Sequence, residues 1–159
     1  MEMNNMESIV REVLKQVKAA PSMNLKLAKA LMEKVEAEAA RIGVKAVVAV
    51  SDAAGRPIAV HCMGGAYIGS YDIAVNKTYT SVAFQMSTAT LAELAAPGGS
   101  LYGIQHTNQG QIVIFGGGEP LYVDDVLIGA IGVSGGTAEQ DITLATYGKE
   151  VLKEVIRGC

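Results

Sequence analysis

The densest group of soft or borderline metal ligands in the chain is His61-Cys62-Met63, an imidazole, a thiol and a thioether in succession. Each can hold a metal or act as an axial ligand to a haem or corrinoid. Their spacing limits what they do together. In a strand successive side chains point to opposite faces, so His61 and Cys62 do not easily share one ion, whereas His61 with Met63, or either of these alone, can be an axial ligand. The competing use of Cys62 is as a small buried apolar residue. The second imidazole, His106, lies in the polar run Tyr102-Gly103-Ile104-Gln105-His106-Thr107-Asn108-Gln109, which has no obvious packing duty and reads as a surface or binding loop.

Other chemistry is weaker. Gly116-Gly117-Gly118 could converge backbone N–H groups on an anion, but Glu119-Pro120 and a strand follow, so a tight turn or bulge is the better reading. Gly135-Gly136-Thr137 leads into a helix, yet Glu139 and Asp141 already occupy its first turn and Thr137 reads as an N-cap. Asp52, Asp72, Glu119 and Asp141 are available for acid–base work, and Asp52, Lys77 or Glu139 would serve an enzyme acting on a small oxidised metabolite. Nothing in their spacing pairs them. The chain has no Gly-x-Ser-x-Gly elbow and no His-Glu-x-x-His.

The elements that must position these residues are legible from periodicity. Met6, Ile9, Val10, Val13, Leu14 and Val17 share one stripe, which predicts an amphipathic helix over residues 1–20, ended by Pro21; residues 21–23 read as a linker. Asn24 caps a second helix carrying Leu27, Leu31, Val35 and Ala39 on one face, which stops at Gly43. Lys45 to Ser51 and Pro57 to Cys62 form a hairpin about Asp52-Ala53-Ala54-Gly55. A helix from Ile68 to Phe84 places Ile73, Val75, Tyr79, Val82 and Ala83 as its apolar positions. Another follows Ser87 and ends before Pro97-Gly98-Gly99. Gln111 to Phe115, Leu121 to Val123 and Val126 to Ser134 read as strands, with residues 116–120 and Asp124-Asp125 as turns, and the last helix runs from Ala138 to about Ile156. Strands grouped in hairpins predict an α+β fold, one antiparallel five-stranded sheet with helices packed on it.

Composition closes off several classes of function. With 159 residues, 50% of them hydrophobic, the chain is one domain of about the usual size with a short appendage. Thirteen Lys and Arg against 16 Asp and Glu leave a net charge of −3, which is no footprint for nucleic acid. Only 18% of residues are charged, so the expectation is association into a homo-oligomer. Cys62 and Cys159 fit neither a disulfide framework nor a zinc spacing, which favours the reducing cytoplasm. Apolar runs are too short for a membrane span, and Glu2 stands where a secretory signal carries a basic residue.

Six segments in order then resemble one family: Asp52-Ala53-Ala54-Gly55; Ser70-Tyr71-Asp72-Ile73-Ala74-Val75-Asn76-Lys77; Pro97-Gly98-Gly99; Tyr102-Gly103-Ile104; Ile112 to Leu121; and Gly129 to Asp141. Residues 24–159 are similar to the GlcG/HbpS-type haem-binding domains, which also form the C-terminal part of propanediol-utilisation corrinoid adenosyltransferases. The resemblance implies a profilin-like α-β-α sandwich, assembly from dimers up to octamers, and haem or corrinoid as cofactor. It implies no settled reaction, because the transferase activity belongs to a domain this chain lacks. On that reading His61 and His106 are the iron ligands, Cys62 or Met63 secondary ones, and Tyr71, Asn76 and Lys77 line the pocket or meet propionates. His61-Cys62-Met63-Gly64-Gly65 departs from the charged ending frequent after this hairpin. Residues 1–20 resemble the encapsulation peptides of bacterial microcompartment proteins, which dock on a shell or cargo protein, the alternative being that the stripe packs on its own domain or oligomer. The expected function is a tetrapyrrole-binding accessory protein in the cytoplasm or a microcompartment; the alternatives are the small-metabolite enzyme and an oligomeric adaptor.

Overall fold

The computed structural model describes residues 6–11 and 22–159. Residues 6–11 are helical; the remainder of the expected N-terminal helix, and Pro21, lie outside the described residues. Met23, expected in the linker, is buried in the core.

Helix α1, Leu25–Arg41, begins where the Asn24 side chain accepts the Leu27 N–H. Its stripe of Leu27, Leu31, Met32, Val35 and Ala39 is buried against strands β1, Val47–Asp52, and β2, Pro57–Cys62. Helices α2, Ser70–Phe84, and α3, Thr88–Ala95, follow, then short 3-10 turns at Ile104–His106 and Asn108–Gly110. Strands β3, Gly118–Val123, and β4, Val126–Ser134, precede helix α4, Ala138–Gly158. Thr137 and Gln140 form a reciprocal capping box at the start of α4.

The sheet is antiparallel in the order β2-β1-β4-β3, four strands rather than the expected five. The missing strand is Gln111 to Phe115. The Thr80 hydroxyl takes the Val113 N–H at 3.0 Å and also reaches the Gln111 carbonyl, so this segment bonds α2 at these two groups rather than pairing in a ladder. Gly118, Glu119 and Pro120, expected in a turn, belong to β3, opposite Gly132, Ile131 and Ala130.

α1 and α4 cover one face of the sheet over Val48, Val50, Ile131 and Val133, while α2 covers the other over Val47 and Ala49. The α2 face inverts the expectation from hydropathy. Ala74, Lys77, Thr78, Thr80 and Ser81 are buried, whereas Ile73, Val75, Tyr79 and Val82 are only half-buried and Ala83 is exposed. The sheet beneath explains this. A Cβ on Gly132 would lie 2.1 Å from the Ala74 carbonyl oxygen, and one on Gly118 2.7 Å from the Ser81 hydroxyl, so helix and sheet approach too closely for large side chains. The Thr78 and Thr80 hydroxyls fit because they return hydrogen bonds to the Val75 and Asn76 carbonyls of their own helix.

Gly132→Ala therefore forces α2 off the sheet, and a loss of about 1–3 kcal/mol is expected in denaturant unfolding. Gly64→Ala, where an added Cβ meets nothing within 4 Å, is expected to stay within about 0.5 kcal/mol of the parent. Equal effects of the two would remove the close-approach explanation.

Candidate functional site

His61 stands on β2 opposite Val48, which turns its ring to the α1 side of the sheet. There its Nδ1 lies 2.5 Å from Glu36 Oε1 of α1, with side-chain exposures of 34% and 27%. Cys62, the next residue, is opposite Val47 and so faces the α2 side; it is exposed, not a buried packing residue. Met63 turns inward against the core, and its sulfur accepts the Ala46 N–H at 3.4 Å. From here the chain leads through Tyr67 and Ile68, 74% and 96% exposed, to the half-exposed Tyr71 in the first turn of α2. The end of the edge strand therefore carries the imidazole on its α1 side and the thiol on its α2 side, and the exposed Tyr67, Ile68 and Tyr71 follow it in the chain.

His106 is elsewhere. It is exposed in the turn Ile104–His106, and nearby Asn108 bonds the Tyr79 hydroxyl of α2, so this loop belongs to the α2 side. The sheet thus separates the two imidazoles within one protomer. Among the described residues no three His, Cys, Asp or Glu side chains gather into a metal-binding group.

Lys77 does not line a surface pocket. Its side chain is fully buried, and its amine donates to the Val133 carbonyl at 2.7 Å and to Asp141 Oδ2 at 2.9 Å. The Phe115 ring lies across it, 5.1 Å from Nζ to centroid. Burial pushes the amine below its ordinary pKa of 10.5, against the opposing pull of the Asp141 carboxylate. Carboxylates on a bound ring cannot reach an amine so enclosed. Asn76 is half-buried on α2, and its carbonyl takes the Thr80 hydroxyl.

The glycine runs serve the same ion pair. A Cβ on Gly117 would lie 2.6 Å from Lys77 Nζ and 2.8 Å from the Asp141 Cβ. At the start of α4, Asp141 Oδ1 accepts the Gly136 N–H at 2.9 Å, so the chain's own carboxylate fills the anion position. Glu119 pairs with Lys149 at 3.0 Å. Asp52 caps its turn: burial would raise its pKa, but the N–H groups of Arg56 and Ala54 and the Arg56 guanidinium outweigh this and hold it below 3.8. Asp52 lies opposite Gly129, far along β4 from Val133, where Lys77 is anchored, and Glu139 is exposed at the start of α4. The three residues proposed for acid–base catalysis do not converge.

Known proteins share this fold. The family model described as "Haem degrading protein HbpS-like" matches residues 23–150. The chain belongs to the HbpS-like family. A protein of Citrobacter freundii, described as an uncharacterized 15.0 kDa protein in the dhaT-dhaS intergenic region, is 42% identical over 134 residues, 84% of this chain and 94% of its own length. The corrinoid adenosyltransferase PduO of Salmonella typhimurium is 39% identical over 107 residues, 67% of this chain but 32% of PduO, so the match spans about a third of that enzyme. Among solved structures, Klebsiella pneumoniae ORFY superposes with a TM-score of 0.79 at 36% identity, covering 86% of this chain and 97% of that one. The PduOC:heme complex gives 0.78 at 33%, covering 82% and 94%. No described helix is long and apolar enough to cross a membrane.

Sequence reasoning missed two partnerships, Glu36 with His61 and Asp141 with Lys77, because 25 and 64 residues separate the members. Tyr67 and Ile68 carried a signal that was passed over: apolar residues set in a glycine-rich turn. Lys77→Met alone leaves Asp141 buried and uncompensated, with an expected loss of about 3–5 kcal/mol; Lys77→Met with Asp141→Leu is expected to recover much of it. Urea unfolding of the two variants decides, and a double variant no better than the single one counts against the buried pair.

Proposed function

We propose that this HbpS-like chain is a haem-binding accessory protein that holds its tetrapyrrole at the exposed end of β2. The observation that carries this is His61, a partly exposed imidazole anchored by Glu36 near the end of β2, with the exposed Tyr67, Ile68 and Tyr71 following it in the chain. The donor set suits the group: imidazole nitrogen ligates haem iron, and exposed aliphatic and aromatic side chains suit the faces of a flat ring. Similarity to PduOC, solved with heme, supports haem, and similarity to a corrinoid adenosyltransferase keeps a corrinoid as the alternative ligand. When bound, the iron supplies a Lewis-acid and redox centre. The chain's own residues would bind and orient it: His61 would ligate from the α1 side of β2, while Cys62, on the opposite face, could act only as a separate donor. Because the sheet separates the imidazoles, a bis-imidazole site takes His106 from a second copy, which makes the homo-oligomer part of the binding unit.

Haemin titration tests this. The parent protein is expected to shift the Soret band with saturation; His61→Ala is expected to weaken binding at least tenfold, and His106→Ala to change the ligation spectrum with smaller loss of affinity. A Soret shift unchanged in the double variant overturns the ligand assignment.

A second reading concerns the N-terminal segment. Met6, Ile9 and Val10 are exposed, by 69%, 56% and 49%, as are Glu7, Ser8 and Arg11, so among the described residues nothing covers this apolar stripe. This supports an adaptor helix of the microcompartment encapsulation type, docking on a shell or cargo protein. Deleting residues 1–20 is expected to abolish co-localisation with a shell while leaving the circular dichroism spectrum and haemin binding of the domain unchanged. Loss of folding on deletion means that the helix packs on its own domain.

A further inference from the structure

We infer that Glu36 is a positioning residue for His61, accepting a hydrogen bond from Nδ1–H so that the ring presents Nε2 as its one ligating atom. The inference rests on the haem reading only for the identity of the metal.

The argument starts from what each group can do. An ionised carboxylate accepts hydrogen bonds and donates none, so at the 2.5 Å contact with Glu36 Oε1 the proton belongs to Nδ1. A neutral imidazole carries one N–H, and placing it on Nδ1 leaves the lone pair on Nε2. Free imidazole side chains favour the other tautomer, so the carboxylate reverses the intrinsic preference. The geometry holds both partners. Glu36 is set by α1, one residue beyond buried Val35, and His61 by its register opposite Val48, so neither backbone has freedom to withdraw. Among the described residues the Glu36 contact is the one side-chain hydrogen bond of the His61 ring. Nε2 on the far side of the ring is therefore left for a ligand. A carboxylate on the remote nitrogen also raises the basicity of the imidazole, which would favour the ferric over the ferrous state of an iron held there.

The test compares the full chain with Glu36→Ala and Glu36→Gln. Long-range proton–nitrogen NMR of the haem-free protein at about pH 8, above the ordinary imidazole pKa of about 6.5, is expected to show His61 protonated on Nδ1. Glu36→Ala is expected to move the proton to Nε2, and Glu36→Gln, whose amide oxygen still accepts, to keep it on Nδ1. In haemin titrations Glu36→Ala is expected to lose about 10- to 100-fold in affinity, and Glu36→Gln less. The reduction potential of the loaded variants is expected to rise, by about 59 mV for each tenfold gain in ferrous over ferric affinity. A parent protein already protonated on Nε2 overturns the inference whatever haem does, and needs no variant to fold. A tautomer that follows Glu36 while His61→Ala binds haemin like the parent leaves the positioning role standing and removes the haem ligand.

Discussion

The Lys77 ammonium is held where three elements meet: it rises from α2, bonds the Val133 carbonyl of β4 and pairs with Asp141 in the first turn of α4. Removing a full charge from water costs several kcal/mol, and the cost is offset only because a carboxylate, a carbonyl and the Phe115 ring are all in place. Their geometry leaves no space for side chains beside them. Gly117 and Gly118 therefore carry no Cβ, and the same close approach extends to Gly132 under Ala74. Asp141 meanwhile uses its other oxygen on the Gly136 N–H, so one carboxylate anchors both the lysine and the loop entering α4.

This arrangement decides what remains for function. Residues that look reactive in the sequence are committed internally: Lys77 to Asp141, Glu119 to Lys149, Asp52 to its own turn and Thr137 to the capping box. Met63, a candidate ligand, is drawn into the core through its sulfur. Among the candidate residues, His61, Cys62, His106 and Glu139 are left outside the core, the first two at the end of an edge strand. Ligand chemistry at such an edge can be varied without disturbing the packing. Substitutions on an exposed edge cost little, whereas those against a buried ion pair cost several kcal/mol.

The helices α1 and α4, both hairpins and the caps Asn24, Ser87 and Thr137 were legible because each depends on residues within a few positions of one another. Two errors share a cause. The α2 stripe was assigned by hydropathy, but its partner surface is glycine and alanine, so hydroxyls and small side chains face the sheet and the larger apolar ones turn to its flanks. The segment Gln111 to Phe115 has the composition of a strand, but the Thr80 hydroxyl, 33 residues away from Val113, takes its N–H.

The sequence by itself determined the class of fold, the order of most elements and the family, because periodicity, turn chemistry and short motifs are local properties of a chain. Only the tertiary structure decided which polar residues are free. Whether Lys77 meets a ligand or a buried carboxylate, and whether His61 stands alone or against Glu36, depends on contacts between distant segments. Such contacts form when the sheet and helices close on one another, and no local spacing encodes them.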